Sequence, residues 1–316
     1  MRPAKIFQSS GALLLILLCS GFNQQACAQH FTASFIEPYE TEVLGNGLYA
    51  FRIGMRRSIF VVGDDGVIAT DPLNINAARI YREEIAKVTD KPVKYIAYTS
   101  SFLNHVVGGQ IFKDEGADFV AHALCAENLT ETPHPDVVMP DVTYDKKLTM
   151  SVGNASLELF YFGRSFGNCL SVVIARPANI MLVANLVNPP TASVPWDPTL
   201  ANYYLHTLVD FFRSVEILAE EQGITRVVGA FGAIETGPDG ELQLASATAP
   251  VSIIREQRIF WETLIDAVKA EFDAGFPARV IPVRVNLNQF SEYGAYDEEK
   301  LRIMMRRVYS LHRIGR

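Results

Sequence analysis

The sequence predicts an α+β protein in which two mixed β-sheets pack face to face and helices cover their outer faces. Three observations lead there. Strands joined by tight turns fill residues 47–71 and 147–187. Segments of helical period follow each group, at 76–88 and 201–222. One continuous apolar run, residues 93–99, reads as an interior strand buried on both faces. A sheet that must hide an apolar face, followed by amphipathic helices, reaches a stable state in such layers. Pattern alone also fits other mixed architectures.

The elements follow in order. The first strand is Leu48–Ile53, the second 58–62 and the third Val67–Thr70, with Gly63, Asp64, Asp65 and Gly66 as a hairpin signal. Ala77, Ile80, Tyr81, Ile85 and Val88 recur at helical spacing, and Pro92 ends that helix. A short helix is expected from Asn104 through Phe112, then a strand at 117–121 and a brief helix at 124–129. Residues 133–140 carry turn formers and read as a loop. Lys147–Val152 and 155–162 pair as a hairpin, and 169–175 with 180–187 as another, turned at Pro177, Ala178 and Asn179. Four prolines in 188–198 exclude regular structure there. A strong helix at 201–222 stops at Gly223, and a short strand occupies 226–231. A long helix runs from beyond Pro250 to 274. The last helix, 297–312, opens on acids and closes on basic residues, as the helix dipole favours.

Residues 1–28 read as a signal peptide. Arg2 and Lys5 precede the apolar run at 12–18, and Ala26, Cys27 and Ala28 satisfy the small-residue cleavage rule. The run is shorter than the roughly 20 residues a membrane span needs. Bulky Leu18 argues against lipid attachment at Cys19. Cleavage is expected after Ala28, leaving residues 29–316 as a single secreted or periplasmic domain with a C-terminal helical extension and no stable membrane span. The chain carries a net charge of −7 and no basic run, which excludes nucleic acid as the expected partner. Of four cysteines, Cys125 and Cys169 remain after cleavage. Export permits their pairing, but spacing fixes no distance, and two buried thiols are the expectation.

Asn46-Gly47-Leu48-Tyr49, Ser58-Ile59-Phe60-Val61-Val62, Asp64-Asp65-Gly66-Val67-Ile68 and Thr70-Asp71-Pro72 together resemble the opening of a metallo-β-lactamase-fold hydrolase. The resemblance extends over nearly all of 41–316. It implies a four-layer αβ/βα sandwich, and Arg306-Arg307-Val308-Tyr309 is similar to the tail of a branch of periplasmic zinc hydrolases. It also implies where zinc would sit. The family's H-x-H-x-D-H segment matches Ser100, Phe102, Asn104 and His105, followed by Gly108-Gly109. Its G-x-x-H turn matches Gly163-Arg164-Ser165-Phe166, and its bridging aspartate matches Asn185 after Leu182-Val183-Ala184. Its P-G-H-G turn matches Gly229-Ala230-Phe231-Gly232. Asp71 matches the aspartate that braces the metal loop. Of the metal ligands, only His105 survives.

Zinc in a hydrolytic site needs about three protein ligands and an open position for water. Phe102, Phe166 and Phe231 have no lone pair to offer, so no bound hydroxide is expected, and no metal or other cofactor. Asn104 and Asn185 keep the shape of carboxylates without the charge that two cations would have balanced. Two functions remain. The first is a pseudoenzyme, an exported binding or accessory protein for a small apolar or aromatic ligand or a partner protein, with Trp196 at the cleft mouth. The alternative is a hydrolase of an ester, thioester or lactam-like bond, acting through a metal-free or relocated site around His105 with Ser100 or Ser101 as nucleophile. His105 is expected to be held by a backbone carbonyl or Asn104, since no orienting acid is visible nearby. Arg164 reads equally as an anion clamp or an exposed turn residue. Cys169 is expected to be structural rather than reactive. His122, His134, His206 and His312 are scattered, with surface or capping roles.

Overall fold

The computed structural model describes residues 38–232, 234–236 and 242–315. The signal segment at 1–28, and His30 beyond it, lie outside the described residues.

Tight turns build the first sheet. β1 (Tyr39–Gly45), β2 (Leu48–Ile53), β3 (Arg56–Val62) and β4 (Val67–Thr70) pair antiparallel in sequence order. The sheet then changes direction. α1 (Ile75–Val88) carries the chain back, and β5 (Val93–Ala97), β6 (Asp118–His122) and β7 (Val142–Tyr144) add in parallel. β5 is interior to this seven-stranded sheet, which accounts for its unbroken apolar run. α2 (Leu103–Val106), α3 (Gln110–Asp114) and α4 (Ala123–Glu131) fill the crossovers.

The second sheet has six strands and is also mixed. β8 (Lys147–Val152), β9 (Ala155–Tyr161), β10 (Ser171–Arg176) and β11 (Ile180–Val183) are antiparallel. β12 (Arg226–Val228) joins β11 in parallel after the long helix α5 (Leu205–Glu221). β13 (Ile234–Thr236) and β14 (Leu242–Leu244) form a separate hairpin, and β15 (Thr248–Pro250) closes the sheet edge. α6 (Ser252–Asp273), α7 (Ile281–Arg284), a 3-10 turn at Leu287–Phe290 and α8 (Glu298–Arg313) follow.

Strand alternation sorts the core into layers. Leu48 and Ala50 of β2, Leu157 and Leu159 of β9, and Val173 and Ala175 of β10 meet between the sheets. Phe51 and Phe60 point the other way and pack on Tyr81 and Ile85 of α1. Val172 and Ile174 pack under α5, α6 and α8 with Phe212, Trp261 and Met304. The order is helix, sheet, sheet, helix: the four-layer α+β sandwich. Truncating a buried ring such as Trp261 would cost on the order of 3–5 kcal/mol.

Caps set several helix boundaries. Asn74 Oδ1 accepts from Ala77 N at 2.9 Å to start α1. Asp297 Oδ1 accepts from Lys300 N at 3.0 Å, and Glu298, Glu299, His312 and Arg313 complement the dipole of α8. The helix expected from Asn104 through Phe112 is instead two short pieces. Gly108 breaks it with φ +94°, and a Cβ there would lie 2.5 Å from the Asn74 carbonyl carbon. β11 stops at Val183 rather than 187, because Asn185 turns the chain with φ 64°. β1, β7, β13, β14 and β15 were not expected from the sequence.

Candidate functional site

β4, β5, β11 and β12 all run out at one end of the sandwich, and the connections that follow them meet there. Ser171 N of β10 donates to Thr99 O after β5 at 2.9 Å, tying the two sheets together at this end. Asp71, directly after β4, is buried and accepts from Thr99 N at 2.8 Å and Thr99 Oγ1 at 2.5 Å. Two residues on, Leu73 lies in the left-handed region at φ 72°. That conformation costs on the order of 1–3 kcal/mol, and Leu73 N donates to His105 O at 2.8 Å, which fixes the loop carrying the histidine.

His105 is 1% exposed and engaged at both ring nitrogens. Nδ1 lies 3.1 Å from Asp71 Oδ2, and Nε2 lies 3.0 Å from Asn185 Oδ1. An orienting acid is therefore present, 34 residues away in sequence, contrary to the expectation of a carbonyl or Asn104. Asn104 takes no part in the centre. On the short α2 its side of the helix faces solvent while His105 and Val106 face inward.

Hydrogen-bond logic assigns the protons. Nδ1 carries the proton and donates it in a hydrogen bond to Asp71 Oδ2, so Nε2 offers a lone pair. Asn185 Nδ2 is buried without a partner while its Oδ1 faces Nε2. Turning the carboxamide through half a circle places an N–H on Nε2 and leaves no buried amide proton unpaired. Burial, reinforced by the negative charge at Asp71, pushes the neighbouring Tyr81 and Tyr98 phenols up.

Rings surround this polar unit. Phe231 meets His105 edge to face at 5.7 Å. Arg57 of β3 holds the Phe231 turn, donating from Nη1 to Phe231 O at 2.8 Å and from its backbone N to Ala230 O at 2.8 Å. Phe102 and Phe166 touch at 5.1 Å, and a chain of rings continues through Tyr203 to Trp261, at 4.9 Å for each step. Gly167 permits the approach, because even a Cβ there would come within 3.2 Å of the Phe102 ring. The three phenylalanines are half-buried. Beside Asn185 and Asn188, bounded also by Gln257 and Trp261, lies a cavity of about 10 Å³, near the size of one water.

Neither Ser100 nor Cys169 is paired with the imidazole. Ser100 Oγ is buried with no hydrogen-bond partner. Cys169 is joined to Cys125 by a disulfide with a Cα–Cα distance of 5.3 Å, which corrects the expectation of two thiols. The fold brings the start of α4 against the turn before β10, a proximity that a separation of 44 residues does not reveal. His122 caps α4, accepting from Leu124 N at 3.1 Å with Nε2 on Asp145 O at 2.8 Å. Arg164 is exposed and lies over the Tyr204 ring at 5.5 Å. Trp196 is 75% exposed beneath Lys300 rather than at a cleft mouth.

The residues do not fit zinc. Among the described residues, no three His, Cys, Asp or Glu side chains gather to hold a metal ion. His105 brings one imidazole with both nitrogens in use, and Asn185 and the rings bring no charge. Thr99, Arg57, Tyr203 and Trp261 were missed by sequence reasoning; only Thr99, at the strand end before Ser100, had a positional signal.

No protein-family model matches the sequence, and no curated protein matches it. Solved structures do match in shape. A metallo-beta-lactamase from Pontibacter korlensis superposes with a TM-score of 0.58 at 16% identity, covering 71% of this chain and 99% of that one. The DIM-1 metallo-beta-lactamase gives 0.57 at 12% identity, covering 72% and 99%. The same enzyme exposed to ceftazidime gives 0.58 at 12% identity, covering 72% and 98%. Two mixed sheets between helical layers, with the loops of one end around His105, give this chain the metallo-β-lactamase fold.

Proposed function

We propose that this chain is a non-hydrolytic binding protein on the metallo-β-lactamase fold, a pseudoenzyme whose centre holds no zinc. One observation carries the proposal: both nitrogens of His105 are occupied, by Asp71 and Asn185, and Phe231 packs against the ring. An imidazole so engaged has no lone pair directed at a metal and none directed at a nucleophile. Phe102, Phe166 and Tyr203 pack on one another as rings and bring no ligand for a metal. Removing a buried neutral amide from this unit leaves an unpaired polar group, so the arrangement is self-consistent without an ion. The signal-like first 28 residues support export. Among the described residues no helix is long and apolar enough to cross a membrane.

The alternative, a hydrolase of an ester, thioester or lactam-like bond, needs Ser100 within hydrogen-bond reach of His105. Asp71 and His105 supply two members of such a triad, but Asn185 sits on Nε2 and Ser100 Oγ has no partner.

Metal analysis of the purified protein, before and after incubation with zinc and gel filtration, tests the proposal. The expected result is no stoichiometric zinc and no turnover of lactam, thioester or lactone substrates. One zinc per chain, or hydrolysis abolished by His105→Gln, overturns it.

A further inference from the structure

A second cavity, of about 300 Å³, shares Phe102 and Tyr203 with the ring chain. Three rings line it, those of Phe102, Tyr203 and Tyr204. Its one ionised lining residue is Arg307 of α8, and no acidic residue borders it. In a chain of net charge −7 an acid-free, cation-bearing cavity runs against the average surface. Arg307 has no carboxylate partner among the described residues. Neither does Arg164, whose guanidinium lies over the Tyr204 ring.

Part of the lining is polar and fixed by its own hydrogen bonds. Asn128 Nδ2 donates to Asn168 Oδ1 at 2.6 Å and to Ser101 Oγ at 3.0 Å, and Asn168 Nδ2 returns a bond to Asn128 Oδ1 at 3.2 Å. The disulfide from Cys125, on the helix of Asn128, to Cys169, next to Asn168, locks these two walls together. A wall fixed before binding saves the ordering entropy a ligand would otherwise have to supply. Asn202, also at the cavity, keeps its carboxamide free among the described residues.

We infer that this cavity binds a small aromatic carboxylate, with the carboxylate on Arg307 and the ring against Phe102, Tyr203 and Tyr204. A planar guanidinium pairs with a carboxylate through two parallel N–H···O bonds, and rings pack on rings by offset or edge contacts. The volume lies at the lower end of small-molecule sites and suits one ring with a short chain. The inference rests on the proposal that the chain is a binding protein.

The test is titration of phenylacetate into the purified protein by calorimetry and ligand-observed NMR, beside phenylacetamide and acetate. Phenylacetate should bind saturably, and the amide and acetate more weakly by about tenfold or more, as loss of a charge-assisted pair or of ring burial requires. Arg307→Gln, on an exposed helix face, should weaken phenylacetate to the level of the amide. Ala201→Trp, which fills the cavity mouth without altering charge, should abolish binding. Absence of saturable binding overturns the inference, as does binding indifferent to either substitution. Neither result bears on the zinc measurement, so failure here leaves the pseudoenzyme proposal standing, and stoichiometric zinc overturns that proposal whatever phenylacetate does.

Discussion

Replacing Asp71 separates a structural brace from an ornament of the fold. Its carboxylate receives Thr99 N at 2.8 Å, Thr99 Oγ1 at 2.5 Å and His105 Nδ1 at 3.1 Å, all buried. In Asp71→Ala the hydroxyl can turn away, but the Thr99 backbone N–H loses its acceptor and His105 Nδ1 is left unpaired in either tautomer. Two orphaned buried polar groups cost about 1–3 kcal/mol each, so about 4 kcal/mol together. For a domain of this size about 2 °C of melting temperature accompanies each kcal/mol, so a fall of about 8 °C is expected. Asp71→Asn should behave differently. Its Oδ1 still accepts from Thr99 N, and its Nδ2 now donates to His105 Nδ1. The imidazole then moves its proton to Nε2 and donates to Asn185 Oδ1, at a cost of about 1 kcal/mol. Urea and thermal unfolding followed by circular dichroism measure both costs. Imidazole nitrogen NMR reads the tautomer, with the proton on Nδ1 in the parent and on Nε2 in Asp71→Asn. If the alanine and asparagine variants cost the same, or the tautomer does not change, Asp71 does not set the proton position on His105.

Two further outcomes follow from the same contacts. Removal of the disulfide by Cys125→Ser with Cys169→Ser frees a loop of 44 residues and should cost about 2–4 kcal/mol on chain-entropy grounds, read as a lowered urea midpoint with a larger m, because the unfolded chain without the crosslink exposes more surface. Acid should weaken the fold through Glu158 and Asp141. Burial opposes the charge on each, but Lys147 and Arg176 outweigh it at Glu158, and Lys113 with Phe119 N outweighs it at Asp141, so both are held below the usual carboxylate range. A carboxylate depressed in the folded state stabilises above its unfolded value, and that contribution is lost as pH falls through the folded value. Urea midpoints should therefore fall from pH 5 towards pH 3, and Glu158→Gln should flatten that fall; an unchanged acid limb in the variant contradicts the assignment.

Much of the architecture was legible in one dimension because it depends on local periodicity. The alternation in 48–53 and 155–161 and the helical spacing at 77, 80, 81 and 85 each express which face of an element must be buried. The last helix was placed within a residue by Asp297 and the charges at its ends. Short strands escaped. β7 and β15 have three residues each, too few for a period, and β15 exists because β12 offers an edge to pair with.

The candidate centre divides in the same way. Residue type alone showed that Phe102, Phe166 and Phe231 carry no lone pair, and that holds wherever they lie. What the chain could not disclose was contact between distant segments. Asp71 lies on one connection and His105 on another, and only the parallel run of β4 and β5 sets them 3.1 Å apart. Asn104 and His105 are adjacent in sequence, yet one turn of α2 sends the first to solvent and the second inward. Cys125 and Cys169 pair because β6 and β10, in different sheets, start their following and preceding loops at the same end of the sandwich. Composition and periodicity act over a few residues and so survive in a string of letters; hydrogen bonds, a disulfide and a cavity depend on distances through space, which only the packed sheets decide.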